Sequence, residues 1–482
     1  MDSAVVWEDG DVPLVAGIDS STQSCKVVVC DADSGEVVRS GSAPHPPGTE
    51  VAPAAWLEAF TVAARNAGAL DDVRAASVGA QQHGMVCLDR DGAVVRDALL
   101  WNDTRSAAAA DQLIDDLGGA DEWADAVGVV PVAAVTAAKL RWLADAEPER
   151  ADATAAVCLP HDWLTWRLGG GVLDDLTTDR SDASGTGYFS AATGEYRTDL
   201  LELALRGRRP ALPRVLGPAE SVPVVGDAGP LRRGTLLGAG AGDNAGAALG
   251  LDARPGDCIV SLGTSGVVSA VTATAPRDPS GIVAGFADAT GHHLPLVCTL
   301  NGAPVLAATA RMLGADLGEF ARLALAAPPG ADGLVLVPFF AGERSPNLPN
   351  ATGSLQGVTG TNLTRENIAR AAVEGLLCSL QYCLDAIAEQ GTAIERILVV
   401  GGGGRSRAVR DIAPAIFGRA VDFPADGEYV ARGAARQAAW ALGGDDRAPE
   451  WPRPSAESRT AAATPEVYAR YREAAALVLD RP

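Results

Sequence analysis

Short apolar runs broken by polar and glycine-rich turns open the chain. Residues 14–18 and 26–29 read as strands, Asp19 to Ser24 as the turn between them, and residues 31–36 as a second turn before Val37 and Val38. This pattern predicts a β-meander led by a polar hairpin. The same design returns at residues 258–271, where the runs CIVSL and VVSAV flank Gly263-Thr264-Ser265-Gly266. Its recurrence predicts a duplication, with two domains that each begin on a hydroxyl-rich hairpin. A third turn, Gly401 to Gly404, follows an apolar strand at 397–400 and precedes a helix from Ser406. Helical periodicity spans 365–389, with Ile368, Ala372, Leu376 and Leu380 on one stripe and Thr364 suited to cap it. The first dozen residues read as a disordered leader, 443–464 as a linker, and about 465–479 as a last helix. The expected boundaries are 13–250, 255–444, and a linker with C-terminal helix at 445–482.

The stretch 238–250, GAGAGDNAGAALG, follows an apolar run, and its only charge is Asp243. Small residues let a backbone or a ligand come close. Three readings are open. Asp243 could N-cap a helix. Gly240-Ala241-Gly242-Asp243-Asn244-Ala245 also meets the loose fingerprint G-x-G-x-x-A of dinucleotide sites, although a carboxylate there would repel a pyrophosphate. The third reading is a phosphoryl-transfer enzyme, which needs an acceptor for a substrate hydroxyl proton at such a point.

Charge and composition narrow these choices. At 482 residues the chain has room for two or three cores, and 47% hydrophobic residues with 5% aromatics predict cores of Ala, Val and Leu. A net charge of −22, spread along the chain, argues against a nucleic-acid partner. An anionic substrate would have to be held locally, by backbone N–H groups or a cation. The eight cysteines include no C-x-x-C pair, which predicts buried reduced thiols, no zinc site and no disulfide framework. The acidic start lacks a basic leader region, and no apolar run reads as membrane-spanning, so a cytoplasmic protein with no membrane partner is expected.

Candidate chemistry sits at the turns. Serine and threonine hydroxyls with backbone N–H groups at a hairpin tip can grip phosphate, and an aspartate ending the first strand can hold Mg²⁺ through water. A side-chain-free glycine turn lets a flat base or ribose lie against the backbone. The strand ending at 78–80 runs into Gln81-Gln82-His83-Gly84, whose side chains both donate to and accept from sugar hydroxyls. A second polar stretch, Trp101-Asn102-Asp103-Thr104-Arg105, comes after Leu99 and Leu100. His292 and His293 would face opposite ways in a strand and receive no role. There is no Walker P-loop.

Taken in order, these motifs resemble the FGGY family of carbohydrate kinases over nearly the whole chain. Residues 17–24 resemble the first phosphate motif, 261–266 the second and 398–406 the adenosine motif. Thr136-x-x-Lys139-Leu140-x-Trp142-Leu143 and Gly353-x-Leu355-x-Gly357-Val358, running on to Asn367 and Glu374, resemble its internal signatures. The resemblance implies an α/β fold of two duplicated ribonuclease-H-like domains, of the actin and hexokinase type, with a cleft between them. It also implies catalytic roles for Asp243 as proton acceptor and for Asp19 as the residue near Mg²⁺. Gln82, His83, Asp243 and Asn244 would bind the sugar, and Thr22, Lys26, Gly263, Thr264, Gly302, Gly402 and Gly403 would line the ATP side. Gly302 lies in NGAPVLAA, which lacks the family's tryptophan, and Ala134 and Ala146 depart from the ends of the first signature.

Residues 81–84, 100–103, 181–186 and 242–244 most resemble the xylulose-phosphorylating members. The expected reaction is transfer from MgATP to the terminal hydroxyl of D-xylulose. Alternatives are a kinase of ribulose, gluconate or glycerol, an actin-like or chaperone-like ATPase acting through partners, and a catalytically silent sugar sensor. A homodimer is implied by the resemblance alone.

Overall fold

The computed structural model describes residues 12–225 and 229–480; the expected leader falls almost wholly outside them. The described residues form two compact units, one of those up to 252 with 287–291 and 428–453, the other of 253–286, 292–427 and those from 454 on.

In the first unit the meander forms as Leu14–Ser20, Ser24–Asp31 and Val37–Pro44. The first strand runs further than its apolar residues indicate: Asp19 and Ser20 stay in the ladder, opposite Lys26 and Cys25, leaving a short turn. The strand Val73–Ala80 lies parallel to it, Leu236–Gly238 lies beyond, and Ser221–Pro223 closes that edge. The short strand Ala241–Gly242 pairs with Gly79 and Ala80 at the end of Val73–Ala80. Three parallel strands therefore end side by side, and the chain leaves them at Ser21, Gln81 and Asp243.

The helix Tyr429–Gly443, from late in the sequence, packs on this sheet and on the helix Asp243–Gly250. Glycine makes the approach possible. A Cβ on Gly17 would stand 1.8 Å from the Ala431 carbonyl oxygen, and one on Gly433 would stand 1.8 Å from that of Gly246. The small-residue bed around Asp243 thus admits a neighbouring backbone.

The second unit repeats the plan. Asp257–Leu262 pairs antiparallel with Gly266–Ala270 and parallel with Arg396–Val400, in the order Ala284–Ala287, His293–Thr299, Gly266–Ala270, Asp257–Leu262, Arg396–Val400, Val421–Pro424, Ala456–Arg459. A meander followed by parallel neighbours in both units bears out the expected duplicated α/β fold. The helix Arg365–Glu389 forms where periodicity put it, and Thr364 accepts the Asn367 amide as its cap. Its burial is not the single stripe expected: Ala371, Val373, Leu377 and Cys383 are buried as well as Ala372, Leu376 and Leu380. A helix covered on most sides is apolar all round. Contrary to the reading of the sequence, this helix is long and apolar enough to cross a membrane, and 72% of its most apolar stretch is buried in the core. The segment expected as a linker is also more than that. Residues Ala456–Arg459 pair with Val421–Pro424 as an edge strand, rich in charge as exposed edges commonly are, and the last helix is Pro465–Ala475.

Candidate active site

Asp243 is the first residue of its helix. The N-cap position belongs to Gly242, in extended conformation at φ −60° and ψ 150°, so the capping reading is corrected: the Asp243 carboxylate instead accepts both the backbone N–H and the side-chain amide of Asn244 at 2.8 Å. The dinucleotide reading fails for a packing reason. A Cβ on Gly240 would meet the His161 ring at 2.2 Å and one on Gly242 the Gln82 side chain at 2.6 Å, so the unit's own side chains fill the space a pyrophosphate would need.

Asp19 comes to the same sheet end, since its Cα partners are Lys26 and Gly79, and Gly79 in turn pairs with Ala241. Burial, with the charge of Asp19 added, pushes the Asp243 carboxyl up to about 7. Asp19 is 5% exposed, and burial raises it to about 6 against the opposing effects of a Ser21 hydrogen bond and Lys26. Both N–H and hydroxyl of Ser21 donate to Asp19 Oδ1. Two carboxylates within electrostatic reach, each with a raised pKa, suit a divalent cation bound through oxygen and a base poised near neutrality.

Lys26 is paired rather than open: its ammonium lies 2.5 Å from Glu428 Oε2, a partner 402 positions away that the sequence did not reveal. The Thr22 hydroxyl accepts the Trp101 indole N–H at 2.8 Å, which leaves its own hydrogen to donate.

Gln82 and His83 are fixed by the segment 181–185. Gln82 Nε2 donates to the Ser181 carbonyl at 3.1 Å, and His83 Nδ1 lies 2.6 Å from the Gly185 carbonyl. That carbonyl requires the ring proton on Nδ1, so in the neutral ring Nε2 is an acceptor. His83 itself has φ +68°, a conformation a non-glycine residue adopts at a cost. The Ser181 hydroxyl also accepts the Gly242 N–H at 3.0 Å. Ser181 thus holds both Gln82 and the residue before Asp243, a role the sequence reading did not assign it.

In the second unit, a cavity of about 880 Å³ is lined by Leu306, Phe320, Gly402, Gly403, Arg405 and Arg407 among others. This is within the usual size for a small-molecule site. Gly402 faces open space, whereas a Cβ on Gly403 would meet Leu262 Cγ at 2.4 Å. Gly302 packs on the 263–265 turn, where a Cβ would lie 2.5 Å from the Gly263 carbonyl oxygen, and Ala303 N donates to that oxygen at 2.8 Å. The apolar wall comes from the helix Leu317–Ala326, which the sequence reading passed over although Asp316 caps it.

These features converge with comparisons to known proteins. The N-terminal domain model of the FGGY family of carbohydrate kinases matches residues 14–250 and the C-terminal domain model matches 258–442. The chain belongs to the FGGY family of carbohydrate kinases, a family that implies ATP as the phosphoryl donor. It is 47% identical to the xylulose kinase of Streptomyces rubiginosus over 445 residues, 90% of this chain and 89% of that one. The crystal structure of xylulose kinase from Bifidobacterium adolescentis superposes with a TM-score of 0.90 at 50% identity, covering 96% of this chain and 99% of that one. A gluconate kinase from Lactobacillus acidophilus, 24% identical, reaches a TM-score of 0.85 over 96% of both chains, so the fold alone does not choose the sugar.

Proposed function

We propose that this protein transfers the γ-phosphoryl group of ATP to the terminal hydroxyl of D-xylulose, giving D-xylulose 5-phosphate, with Asp243 as general base. The observation that carries the reading is a carboxylate with its pKa raised to about 7 beside a second acid, next to the turn that bears Gln82 and His83. Near neutral pH such a group takes a proton readily, as a base tuned to the working pH should. Phosphoryl transfer otherwise asks mainly for positioning and charge neutralisation.

Gln82 and His83 would orient the ketose through its hydroxyls, and Asn244 would steady the base. The hairpin hydroxyls of Thr22 and Thr264, with Lys26 and the turns at Gly263, Gly302, Gly402 and Gly403, would serve the nucleotide. Asp19 fits Mg²⁺ as a buried oxygen donor whose charge lacks a full counterion, and the cation would neutralise charge on the transferred group. A cytoplasmic setting is supported by the eight cysteines, seven of them buried.

The test is ADP release from MgATP with D-xylulose, D-ribulose, gluconate and glycerol in parallel, with the product's phosphate located by NMR. The reading expects the highest kcat/KM for D-xylulose and phosphate on C5. A higher value for another acceptor transfers the assignment to that substrate, and ATP turnover indifferent to every sugar would favour the ATPase alternative.

A further inference from the structure

Beneath the sugar-facing residues lies a closed set of ionisable groups that the proposed chemistry does not use. His161, Asp162, Asp179 and Asp182 are each at most 3% exposed. His161 Nδ1 is 2.6 Å from Asp162 Oδ1 and 3.2 Å from Asp182 Oδ2, and its Nε2 is 3.4 Å from Asp179 Oδ1. Among the described residues neither Asp182 oxygen, neither His161 ring nitrogen nor Asp162 Oδ1 has a well-aligned hydrogen bond, so the ring and the acids are held as close ion pairs. Both ring nitrogens face carboxylate oxygens, so a neutral imidazole would turn a lone pair on one of them, whereas the doubly protonated ring sets a positive charge against all three acids.

A metal ion fits less well. Two ligands held at about 2.1 Å by one ion stand about 3 Å or more apart, whereas His161 Nδ1 and Asp162 Oδ1 approach to 2.6 Å, the spacing of a direct ion pair. Burial works against the imidazolium, but Asp162 and Asp182 outweigh it and hold the His161 pKa well above that of free histidine. Cys158, Tyr188 and Tyr196, also near these acids, are kept neutral by burial and by the same carboxylates.

The cluster is joined to the site by short links. Asp179 Oδ2 accepts the Ser181 amide at 2.7 Å and its hydroxyl at 2.6 Å. Ser181 then accepts from Gln82 and from Gly242. The His161 ring fills the place of the missing Cβ of Gly240, three residues before the base. Asp162 Oδ2 ties the group to its own helix start by accepting the Leu159 amide at 2.7 Å.

We propose that His161, as a buried imidazolium clamped by Asp162, Asp179 and Asp182, is a positioning residue that sets Ser181 and through it Gln82 and the Gly242–Asp243 junction on the acceptor side of the site. The inference rests on the reading of Asp243 and Gln82 as the acceptor side, though not on which sugar is used. The assay therefore takes whichever sugar the wild type phosphorylates best, and absence of any kinase activity in the wild type would refute that reading instead.

His161→Gln removes the charge, His161→Lys keeps it, and Ser181→Ala breaks the next link. His161→Gln and Ser181→Ala are each expected to lower kcat/KM for the sugar at least tenfold while the KM for MgATP stays within twofold. The double variant should be no worse than the poorer single one, and His161→Lys should recover most of the loss. Equal damage to both substrates, additive losses, or Ser181→Ala with wild-type sugar kinetics would overturn the proposal. Should His161→Gln fail to fold, Ser181→Ala and the NMR titration of wild-type His161 carry the test: the ring should stay protonated well above the pH at which free histidine loses its proton, and a ring that titrates like free histidine or one tightly held metal ion per chain would sink it.

Discussion

Asp243→Asn separates the catalytic and structural consequences of one buried acid. The folded protein holds the Asp243 proton up to about pH 7, whereas the unfolded chain releases it near 3.8. Between those values the folded state binds more protons, so stability falls as pH rises from about 4 to about 7, and the full penalty persists above 7. At about 1.4 kcal/mol for each pH unit, the interval from 3.8 to about 7 corresponds to about 4 kcal/mol. Part of that belongs to repulsion from Asp19, so it is an upper bound for Asp243 alone. Asparagine keeps the shape and an oxygen for the Asn244 amide but carries no charge. The variant should therefore be more stable than the parent at pH 8, by up to about 4 kcal/mol, and nearly equal to it at pH 4. Its kcat should fall by about 10²–10⁴, the usual worth of a general base. Urea unfolding at both pH values with divalent cations chelated, alongside ADP release at pH 8, measures the two effects. An Asn variant no more stable than the parent at pH 8, or one retaining a tenth of its turnover, would refute the reasoning.

The packing sets three further outcomes. Gly433→Ala drives a Cβ to 1.8 Å from the Gly246 carbonyl and must shift the helix that begins at Asp243; urea unfolding should show a loss of about 3 kcal/mol. Gly402→Ala meets nothing within 4 Å and should leave Tm unchanged while raising the KM for MgATP; Gly403→Ala, whose Cβ meets Leu262 Cγ at 2.4 Å, should lower Tm as well. Lys26→Met breaks a pair whose side chains are 35% and 49% exposed, so stability should change by less than about 1 kcal/mol, with steady-state kinetics showing a higher KM for MgATP and an unchanged KM for the sugar.

Local signals determined a large part of this protein. The two hairpins and the long helix Arg365–Glu389 were legible because alternation, turn residues and helical period are written in neighbouring positions. The ordered motifs likewise pointed to the kinase family and to Asp243, Gln82 and His83 as the residues to watch. Tertiary structure decided what those residues touch. Burial and the approach of Asp19, not any feature of the local sequence, raise Asp243 to about 7. Glu428 reaches Lys26 across 402 positions because the helix it precedes returns to the first unit. The glycines around Asp243 looked open to a ligand, yet Gln82, His161 and a helix backbone occupy their missing side chains. An apparent linker became a strand because Val421–Pro424 offered it an open edge. Desolvation, charge proximity and close packing all depend on which distant segments meet, and that is a property of the fold rather than of any stretch of chain.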